Sequence, residues 1–318
     1  MKRVIGVVVA VVVAIGVVGF VSLRAVDASG QSTKTAAAAT VKVPTVKVAT
    51  VKVATATKSY SVTVGDVKRS YEVIAPVKTL PAKAPVIVFL AGISAATESG
   101  ASVVAGEIKR DDLVPYATSD QAEIVYPEPL YGSWNATGCC GAAAAKNVND
   151  LGFLAALVAK VDPGHARQID VVGYSNGARL AYRVACDNPG LFDGYAMVKG
   201  EPTPGCDMRQ PVSILQIASV NDPEVPYQPG DHGSVESLPV TTLIGQLRAT
   251  DKCPANNAVG HSGEMTELTW SGCAGGTSIA LAAWSGGVHS FPRPPGSVPA
   301  ASQVIWAFFT KTAIAPLP

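Results

Sequence analysis

Ser175 stands in Gly173-Tyr174-Ser175-Asn176-Gly177, a Gly-x-Ser-x-Gly turn. Before it, Ile169–Val172 is short and rich in β-branched residues, the pattern of a strand. After it, Asn176-Gly177-Ala178-Arg179-Leu180-Ala181 begins a helical pattern. A serine at such a junction sits on a sharp, strained turn that directs its hydroxyl away from the sheet. The two glycines leave room for the crowded backbone around it. The N–H groups at the start of the helix point toward the place where an oxyanion would form. This arrangement makes Ser175 the candidate nucleophile.

A serine hydroxyl needs a base to take its proton, and the base needs a carboxylate to orient it. Where the nucleophile sits on a strand-to-helix turn, acid and base follow it in that order, on loops after later strands. The strand pattern Ser213–Ile217 leads into Asn221-Asp222-Pro223-Glu224-Val225-Pro226-Tyr227. Asp222 is the candidate acid, in a loop stiffened by two prolines. Glu224 and Asp231 are its rivals. The strand pattern Ile279–Trp284 leads into Ser285-Gly286-Gly287-Val288-His289, and His289 is the candidate base. His165 precedes the nucleophile's strand, at the wrong end of it. His232 follows the acid too closely, and His261 lies in a Gly/Asn-rich loop between cysteines.

Two backbone N–H groups would complete an oxyanion hole: that of Asn176, and one from the loop after the apolar run Pro85–Leu90, assigned to Ile93. Trp134, in a loop directed at the mouth of the site, is either a packed structural tryptophan, the reading slightly favoured, or a substrate contact; Tyr174, next to the nucleophile, is a second candidate substrate contact.

Positioning these loops takes an α/β architecture. Strand-like runs (Pro85–Leu90, Glu123–Tyr126, Ile169–Gly173, Tyr195–Val198, Ser213–Ile217, Glu267–Trp270, Ile279–Trp284) alternate with helical ones (Asp111–Thr118, Val148–Val161, 176–186, Thr241–Thr250, Ala301–Thr312). The alternation predicts a mostly parallel central sheet flanked by helices. Tyr60–Val64 and Arg69–Ile74 predict a hairpin across Gly65-Asp66. The segment 223–265 is too short for a large lid domain.

Several motifs together resemble the secreted polyhydroxybutyrate depolymerase and feruloyl esterase group of α/β-hydrolases, over roughly residues 59–312. They are Val88-Phe89-Leu90-Ala91-Gly92, Ser133-Trp134-Asn135 with Gly138-Cys139-Cys140-Gly141, Asn149-Asp150-Leu151-Gly152-Phe153-Leu154, Gly173-Tyr174-Ser175-Asn176-Gly177, Asn221-Asp222-Pro223, and Gly286-Gly287-Val288-His289. The resemblance implies a nucleophile at Ser175, an acid at Asp222, a base at His289, and hydrolysis of carboxylic esters on polymers or polysaccharides. The serine mechanism requires no cofactor or metal, and no CxxC or His-x-x-x-His spacing suggests one. Two positions depart from the family pattern. Ala91-Gly92 stands where the family has His-Gly, and the loop His289-Ser290-Phe291-Pro292 lacks the family's tryptophan beside the proline.

The chain has 318 residues and a net charge of +1, which gives no electrostatic case for nucleic acid. Met1-Lys2-Arg3 precedes 19 uncharged residues, Val4 to Ser22. A signal-peptide core takes about 7–15 residues and a membrane span roughly 20, so residues 1–28 read as a signal peptide or an uncleaved anchor. Either one exports the rest, and contact with a membrane is expected only there. Residues 29–58 carry a Val-Lys-Val repeat and read as a linker, leaving 59–318 as the catalytic domain. Six cysteines allow 15 pairings. Proximity favours Cys186–Cys206 and Cys253–Cys273, each worth about 3 kcal/mol on loop-closure grounds. Cys139 and Cys140 then remain, to pair with each other or elsewhere. The expected activity is therefore that of an exported serine ester hydrolase. A serine peptidase of the same fold and a weakly active, surface-tethered binding protein are the alternatives.

Overall fold

The computed structural model describes residues 55–76, 80–119, 121–233 and 237–317. The apolar start and nearly all of the repeat linker lie outside them. Strand β1 (Thr55–Val64) opens the described chain, four residues before the expected boundary at Ser59, because Thr55–Lys58 pair with Pro76–Val73. With β2 (Val67–Pro76) it forms the expected hairpin, Val64 facing Val67 across Gly65-Asp66.

The remaining strands are β3 (Val86–Leu90), β4 (Glu123–Pro127), β5 (Ile169–Tyr174), β6 (Gly194–Val198), β7 (Ile214–Ser219), β8 (Ala258–Ser262), β9 (Met265–Ser271) and β10 (Ser278–Trp284). They join one sheet in the order β1-β2-β4-β3-β5-β6-β7-β10-β9-β8. From β4 across to β10 every pairing is parallel, and the hairpins at both edges are antiparallel. β3, β5, β6 and β7 are buried along their whole length, as the continuous apolar runs require of strands covered on both faces.

The helices are α1 (Gly100–Ile108), α2 (Val114–Thr118), α3 (Gly141–Ala145), α4 (Asp150–Val161), α5 (Asn176–Asp187), α6 (Val240–Thr250) and α7 (Ala301–Thr310). One core holds Phe153, Leu154 and Leu157 of α4, Leu180 and Val184 of α5, and Leu243 and Leu247 of α6. The other holds Val104 of α1, Tyr116 of α2, and Val304, Ile305 and Phe309 of α7. The two cores therefore pack on opposite faces of the sheet. α2 is shorter than the expected Asp111–Thr118, because Asp111 caps a turn by accepting the Leu113 N–H (2.9 Å) instead of entering the helix. Among the described residues no helix is long and apolar enough to cross a membrane.

One feature of this topology places the site. From β3 the chain moves to β4 on one side, then returns to β5 on the other side of β3. The helices after β3 and β5 go to opposite faces, which opens a crevice at the carboxyl ends of these two strands. The loop carrying Ile93 and the turn carrying Ser175 meet there.

A buried ion pair secures the segment that packs behind this crevice. Arg69 of β2 and Asp150 at the start of α4 are both almost fully enclosed, with Nη2 to Oδ1 at 2.8 Å. The other carboxylate oxygen accepts the Asn135 N–H at 2.7 Å. Burial pushes the Asp150 carboxyl up, while Arg69 and the Asn135 N–H pull it down. Asp150→Ala would leave the guanidinium buried and unpaired. The expected loss of stability is about 3–5 kcal/mol, read as a lower urea midpoint at unchanged slope.

Candidate active site

Ser175 lies between β5 and α5 with φ 51° and ψ −116°, a conformation that only special turns impose on a residue with a side chain. Close packing on every side holds it there. A Cβ on Gly173 would come within 2.4 Å of the Gly177 carbonyl oxygen, and one on Gly177 within 2.2 Å of the Leu90 oxygen. The Ser175 N–H donates to the Val198 carbonyl at the end of β6 (2.8 Å), and its own carbonyl accepts the Arg179 N–H (3.1 Å). These contacts compensate the strained backbone and leave the hydroxyl free to point outward.

His289 Nε2 is 2.9 Å from Ser175 Oγ. His289 Nδ1 lies 3.0 and 3.1 Å from the two oxygens of Asp222. Asp222 Oδ1 also accepts the N–H groups of Glu224 (2.9 Å) and Val225 (3.2 Å), so the carboxylate is fixed before it meets the imidazole. Burial acts to raise the Asp222 carboxyl. The hydrogen bond from His289, that from the Glu224 N–H and the charges of His289 and Lys199 outweigh it, so the net shift is downward. The carboxylate is therefore held in its ionised form.

The sequence rivals fall elsewhere. Asp231 closes a turn by accepting the N–H groups of Tyr227 (3.1 Å) and Gln228 (2.7 Å). Glu224 is exposed and reaches the outer side of the imidazole, with Oε2 3.5 Å from Nε2. His261 contacts Thr266 across the β8–β9 hairpin (3.1 Å). His165 follows α4, ahead of β5, with its N–H on Asp162 (3.1 Å).

The loop after β3 packs directly on the nucleophile, since a Cβ on Gly92 would lie 3.6 Å from Ser175 Cβ. The N–H groups on either side of Ile93 are engaged: Gly92 donates to Glu107 (3.4 Å) and Ser94 to the Gly132 carbonyl (2.8 Å). At the helix start, Asn176 belongs to the first turn, whose N–H groups have no acceptor within the helix. The residue before Ile93 thus packs on Ser175 from one side, and the first turn of α5 adjoins it on the other.

Of the two readings of Trp134, the structure shows the packed one, and its candidate role as a substrate contact falls away. Its side chain is fully buried. Its indole N–H donates to the Ala91 carbonyl (2.9 Å). Its backbone N–H donates to Asn176 Oδ1 (2.7 Å), and its carbonyl accepts from Asn176 Nδ2 (3.3 Å). One residue thus ties the loop after β3 to the start of α5. Ala91, which stands where the family has histidine, is held through its carbonyl by this indole.

Tyr174 is also largely buried. Its hydroxyl donates to the His289 carbonyl (3.1 Å), and its ring stacks on the imidazole with centroids 6.0 Å apart. It supports the base loop from below.

Glu107 was not anticipated from the sequence. It lies on α1, has no motif around it, and reaches the site through the Gly92 N–H and its charge near Tyr174. Burial pushes its carboxyl up, opposed by Arg110 and the Gly92 N–H. Among the described residues no cluster of histidine, cysteine and carboxylates could hold a metal. Disulfides join Cys139–Cys140, Cys186–Cys206 and Cys253–Cys273. The second ties the end of α5 to the loop after β6.

No protein-family model matches the chain. Feruloyl esterase D of Neurospora crassa is 26% identical over 210 residues, covering 63% of this chain and 65% of that protein. Feruloyl esterase C of Emericella nidulans is 25% identical over 196 residues, covering 59% of this chain and 64% of that protein. The chain thus spans somewhat less than two thirds of the length of these relatives. Among solved structures, an acetyl xylan esterase from Aspergillus awamori superposes with a TM-score of 0.52 at 12% identity, covering 80% of this chain and 99% of that one. At that identity the likeness is one of fold. The chain therefore has the α/β-hydrolase fold, and its sequence is similar to those of feruloyl esterases.

Proposed function

We propose that the protein is an exported serine hydrolase of carboxylic esters, acting on ester groups carried by polymers or polysaccharides. The observation that carries this reading is the alignment of Ser175 Oγ, His289 and Asp222 through contacts of 2.9 and 3.0 Å. In the first step His289 Nε2 takes the hydroxyl proton as Ser175 Oγ attacks the ester carbonyl. The oxyanion is held by the backbone N–H groups of Ile93 and Asn176. The carbon–oxygen ester bond breaks, and the alcohol leaves with the proton from His289. Water then repeats the sequence on the acyl-enzyme and releases the acid. Asp222 fixes the imidazole tautomer and stabilises its cation.

The openness of the site supports a polymer-borne ester. The residues beside the reacting groups are open: Ile93 is 49% exposed and Val288 67%. Both are apolar, and they suit an accessible ester with an apolar acyl part. Export is supported by the three disulfides, which persist outside reducing compartments.

The test is a panel on the purified protein: p-nitrophenyl acetate, methyl ferulate, acetylated xylan and a hydroxybutyrate oligomer, with p-nitroacetanilide as the amide control. The expected outcome is turnover of one or more esters well above background, with the anilide untouched. Ester rates equal to those of buffer would defeat the proposal, and preferential cleavage of the anilide would favour a peptidase.

A further inference from the structure

Lys199 follows β6 directly and is 1% exposed, yet the mechanism above assigns it nothing. Its backbone occupies the left-handed region, with φ 52°. Its N–H donates to the Ile217 carbonyl of β7 (2.9 Å), and the residue before it supplies the carbonyl that accepts the Ser175 N–H. Its ammonium donates to the carbonyl oxygen of Val288, the residue preceding the base. The same nitrogen lies 3.8 Å from Asp222 Oδ2. Gly287, at φ 109°, turns the base loop over this nitrogen, and a Cβ there would lie 3.9 Å from it. One side chain therefore touches the acid and the base loop, while its backbone neighbour holds the nucleophile's turn.

We propose that Lys199 is a positioning residue for this reaction: its ammonium clamps the Val288 carbonyl to Asp222 and so fixes the His289 ring between Asp222 and Ser175. The proposal rests on the hydrolase reading above. The charged groups around the ammonium are few. Asp222 faces it from the loop after β7. His289, from the loop after β10, lies beyond Asp222, and Glu224 lies on the far side of the imidazole. Glu201, two residues on in the chain, is paired with Arg179 of α5. Burial pulls the Lys199 ammonium down to about 8, against the opposing pull of Asp222. As it loses its proton, the attraction to Asp222 disappears and the base loop loosens. Chemistry then slows while substrate binding, made at the outer surface, persists.

The experiment compares wild type, Ser175→Ala, Lys199→Met and Lys199→Arg on p-nitrophenyl acetate across pH, with circular dichroism on each protein. Wild type and Ser175→Ala are read first. Equal rates there overturn the hydrolase reading and this proposal with it. With that reading intact, Lys199→Met is expected to lower kcat about tenfold to a hundredfold at near-constant KM, the scale of a misplaced catalytic group. The decline of wild-type kcat centred near pH 8 should vanish in this variant, and Lys199→Arg should recover part of the loss. A folded Lys199→Met with wild-type kcat, or one that keeps the alkaline decline, overturns the clamp and leaves the hydrolase reading standing. If Lys199→Met does not fold, the wild-type profile decides. A kcat decline near pH 8 at constant KM supports the clamp, and a flat kcat across that range overturns it.

Discussion

Ser175→Ala lowers kcat/KM on a soluble ester by about 10⁶-fold while leaving the fold and its melting temperature nearly unchanged. The size follows from what the hydroxyl does. Removing it deletes the covalent route, so the imidazole 2.9 Å away has no oxygen to activate. What survives is the pull of the oxyanion donors and the binding of substrate, worth about 10³–10⁴ over water in comparable sites. Stability should not fall. Alanine removes one oxygen from a partly exposed side chain, and the strained backbone at φ 51° is secured by main-chain contacts to Val198 and Arg179 that alanine also makes. The measurement is initial rate with wild type and variant purified in parallel. A loss below about tenfold would point to a different nucleophile.

Asp222→Asn is the second large effect, with an expected loss in kcat of about 10⁴-fold. The carboxylate accepts from His289 Nδ1 on one side and from the N–H groups of Glu224 and Val225 on the other. An asparagine oxygen can keep the backbone pair, so the loop should stay in place. Its amide then faces Nδ1 as a donor, which favours the tautomer with the proton on Nε2. That nitrogen can no longer take the serine proton. The Asp222 carboxyl is held low, so in the wild type its own titration lies well below the working range and removes nothing near neutrality. Neighbouring Glu224 does not rescue the variant, because it meets the imidazole from the Nε2 side. Activity falling only a few-fold would mean that another carboxylate orients the base.

The fold class and the order of the candidate site residues were both legible in the sequence. Ser175, Asp222 and His289 were legible because each follows an apolar strand pattern in the order this chemistry demands, and the structure brings the three within hydrogen-bond reach. The central strands were legible for the same reason, since continuous apolar runs need cover on both faces. β8 was not, because Ala258–Ser262 is exposed along nearly its whole length at the sheet edge and carries no alternation. α1 was missed because Gly100–Ile108 opens on glycine and small residues with little apolar contrast. Trp134 was visible as a residue but not in its orientation. An indole buried against the Ala91 carbonyl and one facing substrate look alike in one dimension. Lys199 and Glu107 left no motif at all. Each acts on the site through a neighbour's backbone or side chain, and that relation exists only once the strands are side by side.

Covalent capture addresses Ser175 itself. The protein is treated with an ethyl p-nitrophenyl alkylphosphonate, on which the serine oxygen would attack phosphorus and expel p-nitrophenolate. A Ser175 nucleophile predicts one equivalent of p-nitrophenolate released per protein chain, a matching mass increase confined to the peptide that contains Ser175, and no labelling of Ser175→Ala. Labelling of a different residue, or equal labelling of the alanine variant, would mean that Ser175 is not the nucleophile and that the proposed mechanism is wrong.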